Sequence, residues 1–282
     1  MNFSEWLIFI LCVQVIHFAG TWRLYSIAGK KSWKSAIPIY NAYVLMDIIK
    51  KPKWWVILLF VPVINLLMFG IIWIETIRSF GKKTTKDTLL VLFTLGFFIL
   101  YLNYSKKIKY VNDRSLDKHS TLGEWLSSMT FAIIAATIVH TYFIQPFIIP
   151  TGSLEKSLLI GDFLLVSKIN YGARIPTTPI AMPMVHDTLP LLKIRSYLKK
   201  PQLPFLRFPG FQKIKRNDIV VFNWPADTVR QFFVREKGVR KPIDKKSNYV
   251  KRCIGISGDT LEIRDGVVYI NNSKNILPEW AK

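Results

Sequence analysis

The sequence is short of the residues that build disulfide frameworks, metal sites and histidine-based catalytic triads. It has two cysteines and four histidines in 282 residues. Cys12 lies in an apolar run near the N-terminus and Cys253 lies in the polar second half, so the two cannot form a disulfide framework with each other. No HExxH motif and no pair of closely spaced cysteines occurs, which argues against a metal site. We therefore expect neither a metal nor a cofactor.

The histidines are also badly placed for a Ser-His-Asp triad. His17 and His140 lie in apolar runs, His119 lies in a polar connector, and His186 lies in a proline-rich segment. A triad would need a histidine among the strand-like pieces of the second half, and there is none. The glycines are scattered singly, so the sequence also lacks a glycine-rich phosphate loop.

Long apolar runs are confined to the first half of the chain. Four runs before residue 148 are candidates to cross about 30 Å of hydrocarbon at 1.5 Å per residue, and the third is short for that length. They are Trp6–Thr21, Trp54–Ile74, Leu89–Leu102 and Leu126–Ile149. The sequence therefore predicts a transmembrane anchor region over residues 1–147 and a separate soluble domain over residues 148–282.

The basic residues of the connectors predict the orientation of these four helices. The N-terminal tail has no Lys or Arg, and the three connectors that follow have seven, four and five. Because positive loops stay in the cytoplasm, this pattern favours an N-terminus and a soluble domain outside the cytoplasm, on a multi-pass protein of the inner (cytoplasmic) membrane. The second connector is basic enough to leave a three-span alternative open. The first run lacks the basic start and small-residue exit of a cleavable signal peptide.

The soluble half is strongly basic. Residues 148–282 contain 23 Lys and Arg against 11 Asp and Glu, an excess of 12. Such a charge beside a bilayer suits an anionic lipid surface, so the lipid bilayer is an expected partner. Nucleic acid is the rival partner, and a domain outside the cytoplasm would not meet it.

The second half has the pattern of an all-β domain that follows helices. Short apolar pieces bounded by turn residues lie at 163–169, 218–224 and 248–256, and a fourth piece at 260–271 contains two strands around an Asp-Gly turn. Between the first two lies a proline-rich insertion without sustained periodicity, at about residues 173–215. The predicted fold class is a membrane-anchored α plus all-β protein.

A serine and a lysine are the remaining candidates for catalysis. Ser153 follows Gly152 just beyond the last apolar run. A lysine can take the proton of a serine only when it is neutral, and burial in an apolar site favours the neutral amine. Lys168 and Lys251 both lie in apolar strand-like pieces and both satisfy this requirement. The plain alternative is that both are solvent-facing strand lysines and that Gly152-Ser153 only caps a helix.

Three blocks of sequence resemble the bacterial type I signal peptidases, or leader peptidases. PTGSLEKSLLIGDFLLVSKINYG resembles the P-S-G-S-M-x-P-T-L segment of that family, with its following G-D and K-x-x-Y-G. RNDIVVFNWP resembles the G-D-[IV]-V-V-F segment, and NYVKRCIGISGDTLEIRDGVVYIN resembles the Y-[IV]-K-R-x-[IV]-G-x-P-G-D block. The blocks occur in the family's order, just after an apolar run, and cover about residues 145–272.

The resemblance implies a membrane-bound serine endopeptidase that removes signal peptides from exported preproteins. Ser153 corresponds to the nucleophile and Lys251 to the general base, a Ser-Lys dyad. Thr151 corresponds to the residue whose hydroxyl forms the oxyanion hole with the backbone N–H of Ser153. Gly152 and Arg252 are supporting residues by the same correspondence, and Lys168 becomes an ordinary strand residue. The expected substrates carry small residues at −1 and −3, as A-x-A sites do.

The chain also departs from the family pattern. Leu154 replaces the Met after the nucleophile, Lys156 replaces a Pro, Ser157 replaces a Thr, and Ser257 replaces the Pro before Gly-Asp. A later family block, G-D-[SN]-x-D-S-R-x-[FWY]-G, does not occur before Lys282. That block helps to place the lysine, so the resemblance implies an incomplete catalytic domain with little or no activity as given.

Two other functions stay open on the sequence. One is a multi-span membrane protein with a non-catalytic β-rich extracytoplasmic binding domain, or an inactive fragment of the peptidase. The other is a self-cleaving Ser-Lys regulator, which would need a DNA-binding module where this chain has apolar runs. A Ser153–Lys251 distance within hydrogen-bond reach would argue against the non-catalytic module.

Overall fold

A computed structural model describes residues 3–112, 121–226, 240–279 and 281. The chain divides into two compact units. Unit 1 comprises Met1–Ile134 together with Thr178–Val185 and Ser196–Leu203. Unit 2 comprises Ala135–Thr177, His186–Arg195 and Pro204–Lys282. The boundary near residue 134 lies earlier than the predicted boundary at 147, and two pieces of the proline-rich insertion belong to unit 1.

The first half of the chain is helical, as the apolar runs predict. Its helices are α1 (Phe3–Ile27), α2 (Tyr40–Ile48), α3 (Trp55–Leu58), α4 (Ile64–Ser79), α5 (Thr85–Phe93), α6 (Phe97–Tyr104) and α7 (Thr121–Ile138). A short 3₁₀ helix, Ser32–Ala36, precedes α2, and a π-helical turn, Val139–Phe143, follows α7. Among the described residues, α1 is the one unbroken helix that is long and apolar enough to cross a bilayer, and the bent pair α5–α6 is a second candidate.

The first predicted span is a single longer helix, α1, whereas none of the other three is a single helix throughout. The run 54–74 is divided between α3 and α4, and the break ends at Val63, whose φ is 72°. The run 89–102 is divided between α5 and α6, which meet at an angle of 117° around Gly96. The run 126–149 leaves the helical conformation after Phe143 and ends as a strand. Hydropathy measures the length of an apolar run and carries no information on where its backbone breaks.

Buried polar side chains accompany the apolar core of unit 1. Asn103 is fully buried and lies against α1. Its Oδ1 accepts hydrogen bonds from the backbone N–H groups of Arg23 and Leu24, each at 3.0 Å, and its Nδ2 donates to the carbonyl of Ala19 at 2.9 Å. Because every polar atom of this amide is satisfied, Asn103 joins α6 to α1 without an unpaired buried group.

The described residues of unit 2 form three small antiparallel sheets. In the first, β1 (Ile144–Ile148) pairs with β2 (Phe163–Ser167), and in the second, β3 (Ile219–Asn223) pairs with β4 (Asn248–Arg252). The third has the order β5–β6–β7, formed by Leu261–Arg264, Val267–Ile270 and Ser273–Lys274. The predicted strands are confirmed within a few residues, and the apolar end of the run 126–149 adds β1.

The Asp-Gly turn between β5 and β6 is confirmed. Asp265 and Gly266 have φ angles of 49° and 79°. Positive φ at both central residues is the conformation of a type I′ turn, whose twist matches that of the flanking strands. The sequence Asp-Gly therefore selects this hairpin.

The base of the proline-rich insertion is closed by a contact between two glycines. A Cβ on Gly172 would lie 1.9 Å from the carbonyl oxygen of Phe208, and one on Gly210 would lie 2.6 Å from the carbonyl carbon of Tyr171. Only glycine permits this approach of two backbones. Three isolated antiparallel bridges mark the rest of the insertion: Arg174 with Arg207, Ala181 with Tyr197 and Thr188 with Arg195.

Candidate functional site

Ser153 lies in the connection between β1 and β2. The strand pairing continues beyond β1, because Ile149 N–H donates to the carbonyl of Asp162 at 3.0 Å and the carbonyl of Ile149 accepts from Gly161 N–H at 2.9 Å. The residues between them form tight turns, in which Glu155 N–H donates to the carbonyl of Gly152 at 3.0 Å. This connection holds Ser153 exposed at the end of the first sheet.

Lys251 reaches Ser153 from the second sheet. It lies in β4 opposite Val220 of β3, and it is half-buried. Its Nζ lies 2.5 Å from Ser153 Oγ, within hydrogen-bond reach, although 98 positions separate the two residues. The structure thus brings together the two residues that the sequence predicts as nucleophile and base.

Arg252, the next residue of β4, contacts the same turn. Its Nη2 donates to Ser157 Oγ at 2.6 Å, and its Nη1 donates to the carbonyl of Asn217 at 2.9 Å. One guanidinium therefore ties the Ser153 turn to Asn217, two residues before β3. Sequence reasoning named Arg252 as supporting and missed Ser157 and Asn217 as its partners.

Thr151 and Gly152 precede Ser153 directly. Thr151 is exposed, two positions before the serine. A Cβ on Gly152 would meet Glu155 Oε2 and Ile160 Cδ1 at 3.8 Å, an ordinary contact distance. The described surroundings therefore leave room for a small side chain at position 152.

Lys168 lies one residue beyond β2, and its backbone N–H donates to the carbonyl of Phe143 at 2.8 Å. Burial, with a contribution from the nearby Arg174, lowers the pKa of Lys168 to about 8. It is not a hydrogen-bond partner of Ser153 in the described part of the chain. Lys168 and Lys251 are both half-buried, so burial alone would not have distinguished them.

Lys156 shows that one departure from the family pattern changes the backbone. Its φ is 71°, in the left-handed region. A proline, which the resemblance places here, has a φ fixed near −65° and cannot adopt that conformation. The Ser153 turn of this chain is therefore built for a residue other than proline at position 156.

Two Gly-Asp pairs and one Asn-Asp pair form turns just before strands. Asp162, Asp218 and Asp259 each precede a strand, and each Oδ2 accepts the backbone N–H three residues earlier, at 2.8, 2.8 and 2.9 Å. The residue before each aspartate has a positive φ: Gly161 at 94°, Asn217 at 69° and Gly258 at 93°. Positive φ at the third turn position favours Gly or Asn, which explains these residue types.

Two of these aspartates also hold distant segments. Tyr171 Oη donates to Asp218 Oδ2 at 2.8 Å. Arg216 Nε donates to Asp259 Oδ2 at 2.8 Å, and Asn271 Nδ2 donates to Asp259 Oδ1 at 3.0 Å. The hydrogen bond from Arg216, with that from the backbone N–H of Ile256, holds the pKa of Asp259 far below its usual range. These roles are structural, and no sequence pattern indicated the partners.

Known families match both halves of the chain. A family model described as signal peptidase, peptidase S26, matches residues 122–278, more than half of the chain. A family of unknown function (DUF5684) matches residues 33–113.

Curated relatives match part of the chain at low identity. A signal peptidase I of Rickettsia typhi is 28% identical over 164 residues, which is 58% of this chain and 49% of the relative. One of Rickettsia massiliae is 29% identical over 163 residues, 58% of this chain and 48% of the relative. The chain spans about half the length of these relatives. No solved structure matches.

Proposed function

Since the chain belongs to the signal peptidase S26 family, we propose that it is a membrane-bound serine endopeptidase that removes signal peptides from exported preproteins by a Ser153–Lys251 dyad. The observation that carries the proposal is the distance of 2.5 Å between Lys251 Nζ and Ser153 Oγ. The positions of these residues in the family's sequence blocks support it independently.

The proposed reaction begins with proton transfer within the dyad. The neutral amine of Lys251 accepts the proton of Ser153 Oγ while the oxygen attacks the scissile carbonyl. The Thr151 hydroxyl and the Ser153 N–H stabilise the oxyanion that forms. The lysine then returns the proton to the leaving amine, and water hydrolyses the acyl-enzyme in the same way. No cofactor is required.

The proposed dyad is open to solvent before substrate binds, since Ser153 is exposed and Lys251 is half-buried. A bound substrate segment would cover the pair and remove water, which favours the neutral amine. The hydrogen bond from Arg252 to Ser157 would hold the Ser153 turn at a fixed distance from β4 while the substrate enters.

The anchor is proposed to cross the membrane four times, with the dyad on the extracytoplasmic side. The charge pattern of the connectors supports this orientation, and α1, the bent pair α5–α6 and the apolar helix Ser128–Phe143 support the membrane location. The cleavage site of a preprotein follows an apolar segment that lies in the membrane, so a dyad placed shortly after the last apolar helix suits such substrates.

The test is cleavage of a preprotein with an A-x-A site by the purified chain in detergent. Ser153→Ala should abolish product formation, and Thr151→Ala should lower its rate by roughly 10–1,000-fold, as for the loss of one oxyanion donor. Ser257→Ala, at another exposed turn serine, is the matched control and should keep the wild-type rate. Cleavage by the Ser153→Ala chain would overturn the proposal.

A further inference from the structure

The segment Pro204–Arg216, called here the basic-aromatic ledge, is exposed along its whole length. Five of its residues are large and apolar, and the exposed fraction of Phe211 reaches 84%. The others are Phe205, Leu206, Phe208 and Ile214. A concentration of exposed apolar side chains of this size marks an interaction surface more often than a random feature of a soluble surface.

Backbone contacts hold the ledge in place. Ile175 N–H donates to the carbonyl of Leu206 at 3.0 Å, and Phe208 N–H donates to the carbonyl of Ala173 at 2.9 Å. Further along, Gln212 N–H donates to the carbonyl of Asn170 at 2.8 Å. The glycine contact at the base of the insertion lies between these bonds. The apolar side chains are therefore presented on a fixed backbone.

The charges of the ledge have a single sign. It contains Arg207, Lys213, Lys215 and Arg216 and no acidic residue. Arg216 is paired with Asp259, whereas the guanidinium of Arg207 lies 5.9 Å from the centre of the exposed Phe205 ring. Basic groups beside exposed aromatic rings are the combination that binds at the boundary between anionic headgroups and acyl chains.

The ledge lies beside the point where the last apolar helix ends. The rings of Phe208 and Tyr142 are in edge contact, with their centres 6.5 Å apart. Tyr142 belongs to the final turn of the apolar helix Ser128–Phe143, directly before β1. If that helix lies in the membrane, as the proposed function requires, the ledge is at the level of the headgroups.

We propose that the basic-aromatic ledge binds anionic phospholipid on the leaflet from which the helix Ser128–Phe143 emerges. The aromatic rings of Phe205 and Phe211 enter the interface, and Arg207, Lys213 and Lys215 contact lipid phosphates. This proposal rests on the membrane location in the proposed function. It fixes the height of unit 2 above the bilayer, and hence the height at which a substrate segment would enter.

The test uses the full chain in proteoliposomes with one fluorophore on Phe211→Cys, after Cys12→Ala and Cys253→Ala. Ile263→Cys, on the exposed face of β5 (65% exposed), is the matched control. In vesicles of phosphatidylglycerol and phosphatidylcholine, brominated acyl chains should quench the probe at 211 and leave the probe at 263 bright. Equal quenching at both positions, or none at 211, would overturn the proposal.

A charge variant separates lipid binding from catalysis. Arg207→Gln/Lys213→Gln/Lys215→Gln should lower the quenching at 211 by roughly threefold or more in anionic vesicles, and high salt should do the same to the unaltered ledge. In pure phosphatidylcholine the variant should make no difference. Its rate of preprotein cleavage in detergent should equal that of the parent chain. The cleavage assay therefore tests the peptidase proposal, and the bromolipid quenching tests the lipid-binding proposal separately. If the probe at position 211 is shielded from aqueous iodide but is not quenched by bromolipid, another part of the protein covers the ledge, and the lipid proposal is wrong.

Discussion

Two lysines of unit 2 have different surroundings. Lys168, just after β2, is half-buried, and burial lowers its pKa to about 8. Lys251, in β4, is half-buried and has its Nζ 2.5 Å from Ser153 Oγ. Lys168 has the pKa shift caused by burial, and Lys251 has the contact with Ser153, the proposed nucleophile. Position relative to the serine therefore identifies the candidate base, and burial by itself does not.

Replacing Lys251 should reduce preprotein cleavage far more than replacing Lys168. Lys251→Ala should lower preprotein cleavage by about 1,000-fold or more, because Ser153 loses the group that takes its proton. Lys168→Ala should leave most of the rate, since Lys168 does not contact Ser153. Initial rates in detergent at saturating preprotein measure both. A larger loss from Lys168→Ala would reverse the assignment of the base.

Lys241, a further lysine of unit 2, is buried and has a carboxylate partner. Lys241 Nζ lies 2.8 Å from Asp187 Oδ2, with side chains 5% and 13% exposed. Lys241→Met leaves that carboxylate buried without its partner, so the free energy of unfolding should fall by about 3–5 kcal/mol. The double variant Lys241→Met/Asp187→Leu should recover most of the loss. Denaturant unfolding of unit 2 measures this, and equal losses in the single and double variants would contradict the pairing.

Arg252 tests how far the contact of Lys251 with Ser153 depends on the neighbouring tie. Arg252→Ala removes the hydrogen bonds to Ser157 Oγ and to the carbonyl of Asn217. Displacement of a reacting group by about 1 Å costs roughly 100-fold, so we expect kcat to fall by about 10–100-fold with little change in KM. Arg264→Ala, at an exposed pair with Glu262, is the control. A change confined to KM would assign Arg252 to substrate binding.

The smallest expected effect concerns the pH dependence of stability. The pKa of Lys168 is about 8 in the folded chain, against an ordinary value of 10.5. Between these values the unfolded chain binds more protons, so this group makes stability rise with pH from about 8 to 10.5. Lys168→Met should remove that contribution and raise the free energy of unfolding below pH 8. Unfolding midpoints of both chains across this range measure it, and parallel curves would show that Lys168 titrates normally.

The strands and turns of unit 2 were predictable because their signals are local. Gly-Asp, Asn-Asp and Asp-Gly pairs mark positions of positive φ, and apolar residues between them have too little length for a helix. The pairing of Ser153 with Lys251 came from the family resemblance, because a separation of 98 positions hides the contact from any local pattern. The ties from Arg252 to Ser157 and from Lys241 to Asp187 link distant segments, and no pattern indicated them.

The helical half was less predictable than the β half. The apolar runs indicated helices and gave no sign of the breaks at Val63 and Gly96. In the structure, Val63 N–H donates to the carbonyl of Pro179, 116 positions later, at 3.0 Å. The ring of Trp73 lies 2.7 Å from where a Cβ of Gly96 would be, so the bend there depends on a tertiary contact. Helix breaks that depend on contacts with distant residues cannot be predicted from the hydropathy of the run.

The most direct test of the dyad is to remove the amine of Lys251 and then restore it chemically. Lys251→Cys, in a chain with Cys12→Ala and Cys253→Ala, should not cleave preprotein, and aminoethylation of the new thiol with 2-bromoethylamine should restore cleavage by returning a primary amine to the same place. Lys168→Cys under the same treatment should show the same rate before and after. Failure of the amine at position 251 to restore activity, or cleavage by the unmodified Lys251→Cys chain, would contradict the assignment of Lys251 as the base.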